Sequence, residues 1–282
     1  MNASRKHIHL LVWALFFLLM NRPLTVKSSP DTIYPLHLVG DSIQFAGYQW
    51  YVKDSHEKRT GPGTNLFSSN QENVWVDSTG RLHLRITQRN DNWYCPEIQL
   101  MKSLGYGKYS FTMEALPQEL DKDVVIGLFL YDHADSLHHH NEVDVEISHW
   151  GKAENQNSQF VMQPFEDKAH RFNSNLTGRN EFSFEVYKNK IHFEAKELTD
   201  SVPTKKSKPI DNHTFRLKHP FHPVAEKVCL NVWLFKAIEP ASLKSFEVIF
   251  SGFNFTPFNI SPPKNPDNKK SAAERIKDLI RK

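Results

Sequence analysis

The sequence predicts an all-β fold, an antiparallel two-sheet β-sandwich or β-jelly roll. Three observations carry this. Apolar and polar residues alternate with period two in many short runs, one run is continuously apolar, and turn residues separate the runs. After a leader is set aside, the body is about the length at which all-β chains form one domain.

Residues 1–28 hold Arg5 and Lys6 ahead of the apolar run "LLVWALFFLLM", followed by polar, Pro-containing sequence. This reads as a secretory signal, because the run is too short for the ~20 residues that a membrane helix needs. The protein is therefore expected to be secreted, to the outside or to a periplasm, with no stable membrane insertion after cleavage.

Residues 29–260 form the predicted domain. Its alternating runs are, in order, "NVWVDS", "RLHLRITQ", "WYCPEIQLM", "KYSFTMEAL", "EVDVEIS", "SQFVMQPF", "EFSFEVY", "IHFEAK", "KVCLNVWLF" and "FEVIFSGFNF". "VVIGLFLY" reads as a strand buried on both faces. "DSTG", "GYG" and "KNK" read as turns. Pro96 inside a strand pattern implies an edge or a bulge. "KELTDSVPTKKSKPIDNH" reads as an exposed loop. Residues 261–282 are a basic tail, disordered or a short helix, in which Ser271 and Glu274 have capping-box spacing.

Charge excludes one partner class. The chain carries +3, but residues 1–28 hold four basic side chains and no acid, and the tail is basic as well. The body is therefore acidic, and no nucleic acid is expected to bind it. Cys95 and Cys229 are the two cysteines, too few for a disulfide scaffold, and sequence leaves their pairing open.

The candidate site is "HHHNEVDVEISHW". Residues two apart on a strand share a face, so Glu142, Asp144 and Glu146 line one side while Val143, Val145 and Ile147 fill the core. Acidic alternation alone often marks a solvated face. Paired carboxylates are also what glycosidic bond cleavage requires, one ionised to attack and one protonated to donate. Repulsion among three such groups would split their proton affinities and so separate the two roles.

At this point the residues resemble a family. "NEVDVEIS" is similar to the Glu-x-Asp-x-Glu signature of glycoside hydrolase family 16, which includes lichenases, laminarinases and xyloglucan transglycosylases. The likeness runs from about 70 to 256 through "NVWVDSTGRLHLRI", "WYCPEIQLMKSLGYGKYSFTMEA", "SQFVMQPF" and "CLNVWLF". It implies a concanavalin A-like sandwich that binds a polysaccharide or oligosaccharide in its cleft and cleaves internal β-1,3 or β-1,4 glucan bonds with retention. It also implies Glu142 as nucleophile, Glu146 as general acid/base and Asp144 as their assistant. Glu97, Gln99, His140, Trp150, Gln163, Asn231 and Trp233 become candidate sugar contacts. Alternation places His140 on the Glu142 face, Glu97 with Gln99, and Asn231 with Trp233. His140 stands where lichenases commonly have tryptophan, which keeps a xyloglucan-type transglycosylase open. Hydrolysis of another β-linked polysaccharide, or a non-catalytic sugar-binding module, are the further alternatives.

No cofactor is required; the resemblance alone admits a scaffold calcium, and nothing in the sequence marks its ligands. The histidines at 133 and 138–140 read as a polar rim rather than a metal site, because adjacent loop histidines rarely converge on one ion. Trp75 either lines the cleft or packs. A monomer is expected.

Overall fold

Period-two patterning becomes two packed sheets in the computed structural model, which describes residues 41–165, 168–199 and 207–258. The expected signal segment and basic tail lie outside the described residues. The strands are β1 (Ser42–Phe45), β2 (Tyr48–Val52), β3 (Leu66–Phe67), β4 (Val74–Val76), β5 (Leu82–Arg89), β6 (Asn92–Cys95), β7 (Glu97–Leu100), β8 (Gly107–Met113) and β9 (Val124–Tyr131). They continue as β10 (Val143–Ser148), β11 (Ser158–Met162), β12 (Ala169–Phe172), β13 (Arg179–Tyr187), β14 (Lys190–Leu198), β15 (Ser207–Arg216), β16 (Lys227–Leu234) and β17 (Phe246–Pro257).

One sheet has the order β1-β2-β7-β16-β9-β10-β11-β12 and the other β15-β14-β13-β8-β17-β5-β6-β3, with β4 added beside β5. The pairings are antiparallel except β3 with β6. Between the sheets lies an aromatic-rich core that includes Trp50, Tyr109, Phe111, Phe160, Phe182, Phe184, Phe193 and Phe250, all essentially without solvent contact. The predicted alternation is visible on β8, where every second residue is buried. β9 is buried on both faces over Val124–Leu128, as its continuous apolar run requires.

Two local readings change. "WYCPEIQLM" is two strands rather than one: Cys95 ends β6 in the second sheet and Glu97 begins β7 in the first. Pro96 is the crossing residue, where a missing N–H costs no ladder bond; its carbonyl accepts from the Val232 N–H at 3.1 Å. The polar segment after Ala195 is not all loop. β14 runs to Leu198, and Ser207–Arg216 pairs back on it across a register shift at Ala195/Lys196. Polar composition and Pro209 concealed β15 because an edge strand tolerates both. The "KNK" turn stands as read, with Lys188 and Asn189 joining β13 to β14.

Candidate active site

The acidic strand is central in the first sheet, flanked by β9 and β11. Val143, Val145 and Ile147 are fully buried in the core, so strand alternation turns Asp144 and Glu146 to the outer face. Glu142 directly precedes the strand, and the ladder still reaches it: the Gln163 N–H donates to the Glu142 carbonyl at 3.2 Å. Above these carboxyls lies a cavity of about 410 Å³ lined by all three acids together with Lys53, Glu97, Gly127, Phe129, Tyr131, His133, Cys229, Asn231 and Trp233.

Register explains the convergence. Glu97 pairs with Asn231, Asn231 with Gly127, Gly127 with Glu146, Glu146 with Gln159, and Gln159 with Arg171. Six strands thus place one row of polar side chains across the sheet, interrupted only by a glycine. That glycine is required, because a Cβ there would lie 2.5 Å from Asn231 Oδ1. Gly127→Ala is accordingly expected to cost about 1–3 kcal/mol through overpacking, read as a lower midpoint in a urea melt.

The carboxyls hold protons more tightly than usual. Glu142 is raised to about 7, by burial first and then by the Glu146 charge, against a hydrogen bond from Asp144. Asp144, 5 % exposed, is pushed well above the ordinary range by burial and by both glutamates. One Asp144 oxygen has no donor partner. This suits a carboxyl that keeps its proton and donates to Glu142. Burial also raises Glu146, while Gln159, the Trp150 indole and the Arg171 cation pull it down.

The side chains around the cavity are equally ordered. Asn231 donates to Glu97 Oε2 at 3.1 Å, and Lys53 Nζ meets Glu97 Oε1 at 3.0 Å. Asn231 Oδ1 is left buried without a donor. Gln99 Nε2 lies 2.7 Å from His133 Nε2, and burial lowers the proton affinity of His133, which suits a neutral imidazole accepting from the amide. Tyr131 is pushed up to about 12 by burial and by the Glu142 charge beside it.

Solved structures with this architecture carry informative names. A Bacillus licheniformis β-glucanase superposes with a TM-score of 0.56 at 16% identity, covering 78% of this chain and all of that one. A family 16 glycosyl hydrolase from Mycobacterium smegmatis gives 0.52 at 14% identity over 71% and 89% of the two chains. The fold is that of the family 16 glycoside hydrolases. An immunostimulatory antigen and pseudo β-1,3-glucanase of Mycobacterium tuberculosis gives 0.50 at 12% identity over 71% and 88%, so this fold is also found in a protein described as a pseudo-enzyme. No family model and no curated protein matches the sequence.

Within this family 16 fold, one expected site residue takes another position. His140 does not extend the strand beside Glu142. Residues 136–141 form a 3₁₀ turn in which His139, His140 and Asn141 have positive φ, so strand alternation ends one residue before Glu142. His140 stacks on Tyr131 at 4.5 Å, its Nδ1 2.9 Å from the Asp132 carbonyl. His133 occupies the cleft instead. Trp150 sits beside Glu146 with its ring face taken by Arg171 at 4.4 Å. Trp233 lines the cavity, yet Gly63, at φ +66°, is pressed on its ring so closely that a Cβ would come within 2.8 Å. Trp75 lies on the second sheet, stacked on His83. Gln163 lies beside Asp144 and lowers its proton affinity.

Cys95 and Cys229 are both free and buried. Burial pushes the Cys95 thiol up to about 12. Cys229 faces the cleft between Gln99 and Phe129. Among the described residues no group of three or more His, Cys, Asp or Glu could hold a metal, and no helix is long and apolar enough to cross a membrane.

Proposed function

We propose that this protein is a secreted retaining glycoside hydrolase that cleaves internal β-1,3 or β-1,4 bonds of a β-linked glucan. The observation that carries the reading is the row of three acids of unequal environment at the bottom of one cavity. Glu142, which receives the Asp144 hydrogen bond, is the carboxylate best placed to attack the anomeric carbon. Glu146 protonates the departing glycosidic oxygen and then takes a proton from the water that releases the sugar. Asp144 stays protonated and holds the Glu142 charge in place. Asn231 Oδ1, Glu97, Gln99 and Gln163 supply hydroxyl partners, and Phe129 and Tyr131 supply apolar surface for the C–H faces of the ring. The cavity is within the size range of small-molecule sites, ~300–1,000 Å³.

The working form needs Glu142 ionised and Glu146 protonated. The two glutamates titrate as a pair, and burial alone lifts Glu142 above 4.5, so kcat/KM is expected to fall on the acid side at a pH above 4.5 and on the alkaline side as the pair loses its last proton. An acid limb at the ordinary glutamate value of 4.5 would contradict this.

Release of reducing ends from mixed-linkage glucan, laminarin, xyloglucan and agarose tests the reading, with Glu142→Gln as control. Activity on a glucan that disappears in the control supports it. Tight binding with no new reducing ends would identify a sugar-binding protein instead, and product sizes above that of the substrate would identify a transglycosylase.

A further inference from the structure

We propose that Arg171 and Gln159 are positioning residues that hold the Glu146 carboxyl for proton transfer, an assignment that rests on the hydrolase reading above. The three residues are laid side by side on β10, β11 and β12 by register alone. Gln159 Nε2 donates to Glu146 Oε2 at 2.5 Å. Arg171 Nε donates to Gln159 Oε1 at 3.0 Å. An amide whose oxygen is taken by an N–H must turn its NH₂ the other way, so Arg171 fixes which face Gln159 offers to Glu146.

Arg171 is itself anchored. Its guanidinium lies 4.4 Å over the Trp150 ring, and the Trp150 backbone N–H is held by Ser148 Oγ at 2.9 Å. Gln159 is 4 % exposed, so its amide is shielded from competing water, while Arg171 reaches it from the exposed face of the edge strand β12.

The chemistry gives the relay a purpose. As the anomeric C–O bond breaks, its electron pair stays on the leaving oxygen, which takes the Glu146 proton while Glu142 closes a new bond to carbon. Glu146 becomes an anion at that moment. The Gln159 hydrogen bond and the Arg171 charge stabilise that anion, offsetting burial, which favours the neutral acid. The other groups toward Glu146 are Asp144 and Glu142 on its own side of the sheet, and Asn231 with Glu97 across Gly127; β9 contributes only that glycine to the row. Arg171 is therefore the cation of this row on the β12 side, opposite the Lys53–Glu97 pair.

The test is a ¹³C NMR titration of side-chain carboxyls, with Glu146 assigned from Glu146→Gln, alongside the kcat profile with pH. Arg171→Met and Gln159→Leu are each expected to move the Glu146 titration and the alkaline limb upward. Each should lower kcat roughly tenfold to a hundredfold with little change in KM. Arg171→Lys keeps the charge, supplies a folded comparison, and restores part of the titration without the directed N–H. Because Arg171 acts through Gln159, the double variant should shift less than the two single shifts together. An unmoved Glu146 titration in folded Arg171→Met and Gln159→Leu would overturn the assignment. A parent protein inert toward every glycan would overturn the hydrolase reading instead, and the titration would still decide whether Arg171 and Gln159 govern Glu146.

Discussion

Glu142→Gln is expected to lower kcat/KM by roughly 10⁴-fold or more while leaving oligosaccharide binding within a few-fold of the parent. The amide keeps the shape of the side chain and can still accept from Asp144, but it has no electron-rich oxygen able to form the glycosyl ester. Added azide should restore part of the activity in the smaller Glu142→Ala, with product of inverted anomeric configuration, because the anion enters the space left by the carboxylate. Initial rates and calorimetric binding on the same preparation check both halves. Loss of binding together with rate would point to a structural role for Glu142.

The same substitution should also stabilise the fold above neutral pH. Glu142 binds its proton more tightly when folded, with a value of about 7 against 4.5. Between those two values the native state holds more protons than the unfolded chain, so stability falls as pH rises through this window. At about 1.4 kcal/mol per pH unit, the cost above pH 7 approaches ~3 kcal/mol for this one group. Asp144 and Glu146 are raised as well and add slopes of the same sign. Glu142→Gln removes its share, so the variant should exceed the parent by up to about 3 kcal/mol at pH 8 and match it near pH 4. Urea unfolding at the two pH values measures this directly. A variant less stable than the parent at pH 8 would mean that the charged carboxylate is accommodated without strain.

The fold was legible because each strand obeys one rule. A residue such as Val145 had to point inward, and its neighbours Asp144 and Glu146 therefore had to point outward. That rule yields facing but not register, so the row from Glu97 through Gly127 and Glu146 to Arg171 could not be read. Gln159 shares a face of "SQFVMQPF" with Gln163, so alternation marks both as polar on the cleft side, but only register puts Gln159 beside Glu146. Phe129 and Tyr131 were hidden because a doubly buried strand has no polar alternation to mark its cleft side. His140 was misplaced for the opposite reason: the period was carried back through Asn141, where positive φ ends the strand geometry. The loop that lays Gly63 on Trp233 is a contact between residues 170 positions apart and leaves no local pattern.

The central claim is that Glu142 forms a covalent bond to sugar. Incubation with a 2-deoxy-2-fluoro glucobioside bearing a good leaving group, followed by peptide mass mapping, tests it most directly. The account predicts one glycosyl adduct, on the peptide containing Glu142, absent from Glu142→Gln. An adduct on a peptide without Glu142, or release of the leaving group with no adduct and with inverted product, would contradict it.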